Sequence, residues 1–239
     1  MRDHLDPTQH REWGRSRRKA CPRTVQSVWE VTDARDPVEI LQRQEEHRLP
    51  FLVPVRHARM LTSPFAFYRG SAAVMSADLA TTPSTGIQAQ LCGDAHLSNF
   101  GMFASPERNL VFDINDFDET LPGPWEWDVK RLATSVVLAA RERGASDSDA
   151  RQAAHAAVDA YQDRIASMMA LTSLERTFAR TDVGTLIEGF DHHDTAFMRG
   201  ALQHALHQTS EHLLPRITTT TSDGNVRIVD NPPTVTHLP

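Results

Sequence analysis

The stretch Cys92–Gly101, CGDAHLSNFG, sets an Asp, a His and an Asn within six residues, directly after an apolar run. A second acid-rich stretch, FDINDFDET, begins at Phe112. Between them, NFGMF and NLVFDI are short apolar runs separated by ASPER, the pattern of a β-hairpin. A tight hairpin returns its second strand to where its first began. Asn99 opens the first strand and Asp116 lies just past the second, so the two are expected close in space. Asp94 enters the same locality from the other side. Phosphoryl transfer uses such a grouping: one carboxylate accepts or orients the attacking hydroxyl, while an Asn and another carboxylate hold the magnesium on the nucleotide phosphates. Magnesium takes oxygen ligands and few protein groups, so one Asn and one Asp suffice.

The span 113–128 carries Asp113, Asp116, Asp118, Glu119, Glu126 and Asp128 without one Lys or Arg in its interior until Lys130 follows. Such charges repel one another unless they are solvated or hold a cation. The place of Asp116 after the hairpin points to the metal. Glu119 and Glu126 are expected to face water or cap the helix near Trp125. Asp113 alternates with Phe112 and Ile114 and is expected on the solvent face or paired. His96 beside Asp94 is a weak transition-metal signal without a second His or Cys nearby. It is expected to support the loop by hydrogen bonding. Cys92 reads as an inert core thiol. Arg69 is expected to pair with a local acid rather than with phosphate. His192, His193, His204, His207 and His212 read as surface residues.

The elements that must position these residues follow from periodicity and capping. Residues 1–24 are polar and Arg-rich and are expected as a solvated arm. DPVEILQRQEEHR reads as a helix capped by Asp36, and SPFAFYRGSAAVMSADLA as one capped by Ser63, whose continuity Gly70 weakens. IQAQLCG alternates as a strand, and LPGP reads as a turn. Val129, Leu132, Val136 and Ala140 recur at helical spacing, with Gly144 as a stop, and Ser146 opens another helix. A further helix is expected over 193–214, closed by Pro215, then a hairpin turning at Asp223-Gly224. The order predicts an α+β fold with a mainly helical C-terminal part. The net charge of -6 gives no reason to expect nucleic acid or an anionic membrane as a partner. No apolar run approaches a membrane span, no secretory signal opens the chain, and two cysteines make no disulfide framework. The cytosol is the expected compartment.

GDAHLSN resembles the GD-x-H-x-x-N catalytic loop of the aminoglycoside phosphotransferase and choline kinase group. INDFDE is similar to the metal-binding Asp segment of that group, and PWEWDVKRLA to the helix start that follows it. The resemblance implies a kinase-like fold, with Asp94 as base, Asn99 and Asp116 as magnesium ligands, and Asp128 as a structural acid under the loop. His96 and Asp118 are placed as supporting residues. A broader resemblance covers nearly the whole chain. VPVRHARM, SPFAFYRG, CGDAHLSNFG, FDINDFDETLPGPWEWDVKRLA and VDNPPTVTHLP look like the bacterial family named domain of unknown function 2252. That resemblance implies a longer, permuted order in which a Gly-rich segment and a Lys-containing strand follow. Residues 25–239 are then expected as one kinase-like domain, incomplete at its C-terminus.

Two departures stand out. Cys92 takes the place of the His that usually precedes GD in the phosphotransferases. No G-x-G-x-x-G or Walker A pattern occurs, and Lys19 and Lys130 are the only lysines. Three functions therefore stay open: an ATP- and magnesium-dependent phosphotransferase acting on a small molecule; a non-catalytic or truncated kinase-like module without its nucleotide-gripping half; and a metal-dependent phosphoester hydrolase, which would usually need more His ligands than these loops offer.

Overall fold

In a computed structural model, the structure describes residues 6–31, 35–184, 200, 210–232 and 235–237. The architecture is α+β, and its described strands form three two-stranded sheets. The chain divides into two compact units. One comprises Met1–Phe100 and Ile114–Thr172, the other Gly101–Asp113 and Ser173–Pro239.

The first unit opens with helix α1, Pro7–Ala20. Within the stretch expected as a solvated arm, Asp6 accepts from Thr8 N at 2.7 Å and Gln9 N at 2.9 Å, and Gln9 returns an acceptor to Asp6 N. This reciprocal cap starts a helix that the charge run obscures. Helices α2 (Pro37–Glu45), α3 (Val53–Met60), α4 (Pro64–Arg69) and α5 (Ala72–Ala80) follow. Asp36 and Ser63 cap α2 and α4 as their sequences suggest. The chain breaks between α4 and α5 at Gly70, where a Cβ would meet the Met60 side chain at 2.6 Å.

Strand β1, Gln88–Leu91, pairs antiparallel with β4, Leu121–Pro124. LPGP is thus a strand, not the turn its composition suggests. The short edge pairing tolerates two prolines, and Gly123 opposite Ala89 leaves space that a Cβ would contest with Leu91. Helices α6 (Glu126–Glu142) and α7 (Asp147–Met168) complete this unit, and α6 packs against α7, α4 and α5. Met60, Ala72, Val74, Leu79, Leu91, Cys92, Ala95 and Ala150 are buried. Burial of such apolar area is the main force holding α6 beneath the Cys92–Asn99 loop.

The second unit contains the expected hairpin, β2 (Phe100–Ala104) with β3 (Leu110–Ile114). Ser105 N to Asn109 O and Arg108 N to Ser105 O, both 2.8 Å, close its turn. Phe112 N donates to Thr181 O at 2.9 Å, and Val111 and Val183 are buried. Helix α8 (Ser173–Thr177) and a helix at Ser210–Ile217 follow. Pro215 lies inside that last helix and does not close it. The rest of the helix expected over 193–214, with His192, His193, His204 and His207, lies outside the described residues. Strands β5 (Thr218–Thr220) and β6 (Val226–Ile228) form an antiparallel hairpin, with Gly224 at φ +83 in its turn. Among the described residues, no helix is long and apolar enough to cross a membrane.

Candidate active site

One face of α6 holds the Cys92–Asn99 loop. Asp128, Arg131 and Ser135 are spaced i, i+3 and i+7, so they share a helical stripe. Asp128 accepts from Cys92 N at 2.7 Å through Oδ2 and from Gly93 N at 3.1 Å through Oδ1. Arg131 Nε donates to Asp94 Oδ1 at 2.5 Å. Ser135, wholly buried, accepts from Leu97 N at 2.9 Å and donates to Leu132 O at 2.7 Å. Each bond satisfies a group that the loop, buried at Cys92, Ala95, His96 and Asn99, could not leave unpaired without cost.

Asn99 ties this loop to the acidic stretch. It is buried, and its Nδ2 donates to Asp94 O and to Asp116 O, both at 3.0 Å. Asn115 N donates to Asn99 O at 2.8 Å, as a hairpin base requires. With Nδ2 occupied, Oδ1 is the atom of this amide outside those bonds. Asp116 is exposed, and its Oδ1 accepts from Asp118 N at 3.1 Å, which turns the chain back on itself. Asp118 is exposed as well. Asp94, Asn99 and Asp116 are therefore brought together through the Asn99 amide. Asp128 sits beneath them.

Residues 48–239 match the family described as an uncharacterized protein conserved in bacteria, domain of unknown function 2252. The chain belongs to this family. No curated protein and no solved structure matches it. The span that matches the family contains α3 to α6, the Cys92–Asn99 loop and Asp116, so the whole constellation lies inside it.

Electrostatics separate the members of this constellation. The Asp94 carboxylate is largely buried, 14% exposed, against an Arg131 side chain only 3% exposed. His96 Nε2 stands 3.7 Å from Asp94 Oδ2, beyond a good hydrogen bond, and Nδ1 has no hydrogen-bond partner among the described residues. Burial holds the His96 imidazole below its usual pKa. The Asp94 charge opposes that effect, and Arg131 and Arg69 reinforce it. The balance favours the neutral imidazole. The half-buried Glu119 carboxyl is pushed up by burial first, then by Asp94, Asp116 and Asp118. A cation among these acids would relieve that strain. Burial also raises the Cys92 thiol, which keeps it protonated beside Asn99.

Several expectations change here. Glu126 neither faces water nor caps α6: it is buried, and its carboxylate accepts from Thr85 N at 2.7 Å. Arg69 is exposed and forms no ion pair among the described residues, so no local acid claims it. Lys130 lies with Nζ 3.5 Å from Thr82 Oγ1, and burial lowers its pKa. Lys19 is in the last turn of α1. Among the described residues, no three or more His, Cys, Asp or Glu side chains are grouped to hold a metal ion. Asn99 Oδ1 and the Asp116 carboxylate are hard oxygen donors, the ligand type that magnesium takes. Arg131 and Ser135 are not apparent as site residues from motif reading. Both follow Asp128 at i+3 and i+7 on a helix that also carries Glu126, Lys130, Arg141 and Glu142, so the spacing alone does not single them out.

Proposed function

We propose that this constellation is the catalytic centre of a kinase-like phosphotransferase, which moves phosphate from ATP to a small-molecule acceptor. The single observation that carries the reading is the Asn99 amide, bonded at once to the carbonyls of Asp94 and Asp116. It ties the backbone that carries the carboxylate that would meet the acceptor to the backbone that carries the carboxylate that would meet the metal. Asp128 supports the reading by fixing the backbone on either side of the Cys92–Gly93 peptide.

In this account Asp94 orients the acceptor hydroxyl and takes its proton. The acceptor oxygen bonds to the terminal phosphorus as the bridging bond to ADP breaks. Magnesium, when bound, neutralises phosphate charge; Asn99 Oδ1 and Asp116 would hold it. Asp118 supports the Asp116 turn, and His96, buried, lines the loop. The cytosol, with its ATP, is the compartment this chemistry suits.

Asp94→Asn tests the base. It is expected to cut ADP formation, measured with a panel of hydroxyl-bearing acceptors, by on the order of 1,000-fold. Affinity for magnesium–ATP should stay within about threefold, since the variant leaves both metal ligands in place. An Asp94→Asn protein as active as the wild type would sink the reading. The alternative, a non-catalytic module, draws on the two lysines, whose positions give the loop no obvious phosphate grip. It forecasts no ADP formation from any variant. A phosphoester hydrolase is disfavoured, because a two-metal site needs a ligand cluster that the described residues do not form.

A further inference from the structure

We propose that Arg131 is the positioning residue of this site: it fixes one oxygen of the Asp94 carboxylate and turns the other toward the acceptor. The inference rests on the phosphotransfer reading above. Several independent contacts hold this one buried guanidinium.

Arg131 is 2% exposed. A charge so far from water needs partners for its donors. Nε bonds Asp94 Oδ1, and Nη2 donates to Tyr68 O at 2.9 Å. Nη1 lies 3.6 Å from Met75 Sδ. The guanidinium carbon stands 4.4 Å from the centroid of the Tyr68 ring, within cation–π range. Tyr68 is held in return. Its hydroxyl donates to Arg131 O at 3.1 Å. Burial pushes that phenol up to about 12, so it remains a donor at any working pH. Arg131 and Tyr68 therefore lock each other through both backbones, and α4 and α6 cannot shift without breaking the lock.

The grip on Asp94 is single. A fork-to-fork pair would occupy both carboxylate oxygens. Here Nη2 is diverted to Tyr68 O, so only Oδ1 is taken. Oδ2 faces His96 at 3.7 Å and keeps a lone pair for an incoming hydroxyl. Lysine could not reproduce this arrangement. It lacks the planar fork that spends one nitrogen on Asp94 and another on Tyr68.

The test uses the full chain with magnesium–ATP as the probe. Wild type, Arg131→Met, Arg131→Lys and Asp94→Asn are compared for ADP formation and for magnesium–ATP affinity. Arg131→Met should lose about 100-fold in turnover, the scale of a misplaced reacting group, with affinity unchanged within about threefold. Added guanidinium should restore part of that rate, and Arg131→Lys should fall between the two. In nitrogen-correlated NMR of the wild type, the Arg131 Nε–H should resonate downfield and move upfield in Asp94→Asn. That measurement decides the pairing even if Arg131→Met does not fold. Wild-type turnover in Arg131→Met overturns the inference, as does a parallel loss of rate and affinity without guanidinium rescue. An unmoved Nε–H signal overturns it also. A wild type that forms no ADP defeats the phosphotransfer reading itself, an outcome distinct from an active wild type matched by an active Arg131→Met.

Discussion

Gly93→Ala is expected to lower the melting temperature by roughly 10 °C. The residue sits at φ +86, a left-handed conformation that costs a Cβ-bearing residue about 1 kcal/mol or more. The larger cost is contact. An added Cβ would lie 2.0 Å from the Glu119 carbonyl oxygen and 2.5 Å from its carbon. These are backbone atoms, which cannot rotate away as a side chain can. Relief requires moving either the Glu119 turn, three residues from Asp116, or the loop that Asp128 holds. Overpacking of this kind adds about 1–3 kcal/mol. Together the two effects approach about 4 kcal/mol, in the range reserved for a few named mechanisms. A thermal melt checks it. A shift under about 2 °C would mean the two loops are not in contact at this point.

Asp128→Ala is expected to cost about 3 kcal/mol, because it strips two backbone donors of their acceptor at once. Among the described residues, Cys92 N and Gly93 N have no other hydrogen bond, and Cys92 is buried. Both bonds are charge-assisted, which makes them stronger than a neutral pair. Asp128 also lies in the first turn of α6, where a negative charge favours the helix. Asp128→Asn should recover about half of the loss, because an amide offers one oxygen to two donors. Urea unfolding gives the stability. Hydrogen exchange at Cys92 and Gly93 gives the local effect, which should accelerate by at least about tenfold in the alanine variant. Equal stability of wild type and Asp128→Asn would remove the two-bond clamp from the account.

The closeness of Asp94, Asn99 and Asp116 was legible because they sit at short, fixed separations. Asp94 and Asn99 are five residues apart, and a hairpin returns the chain to Asp116, so local rules bring the three together. The Asn99 amide realises that closure with two bonds to carbonyls. What positions them from a distance was less legible. Arg131 lies thirty-seven residues from its partner Asp94, and an arginine on an amphipathic helix reads as solvated. Ser135 reads as a small filler, although it holds Leu97 N. Neither signal exists until α6 is seen beneath the loop. LPGP misleads for a different reason: proline and glycine mark turns by local preference, yet a short edge pairing uses the missing Cβ of Gly123 to admit Leu91. Glu126 misleads through its charge: it is buried all the same, with the Thr85 amide donating to one of its oxygens.

Magnesium-dependent binding of ATP is the most direct test of the central claim, that Asn99 and Asp116 form the metal half of a phosphotransfer site. Thermal-shift titration with ATP, with and without magnesium, should show stabilisation of the full chain only when the metal is present. At a ligand concentration about 100 times the dissociation constant, the gain is about 2.7 kcal/mol. Asp116→Ala should abolish it while leaving the melting temperature of the ligand-free protein nearly unchanged, since the Asn99 bond goes to the Asp116 carbonyl, which alanine retains. A wild-type chain that shows no shift with ATP and either magnesium or manganese, or an Asp116→Ala variant that keeps the full shift, would contradict the account.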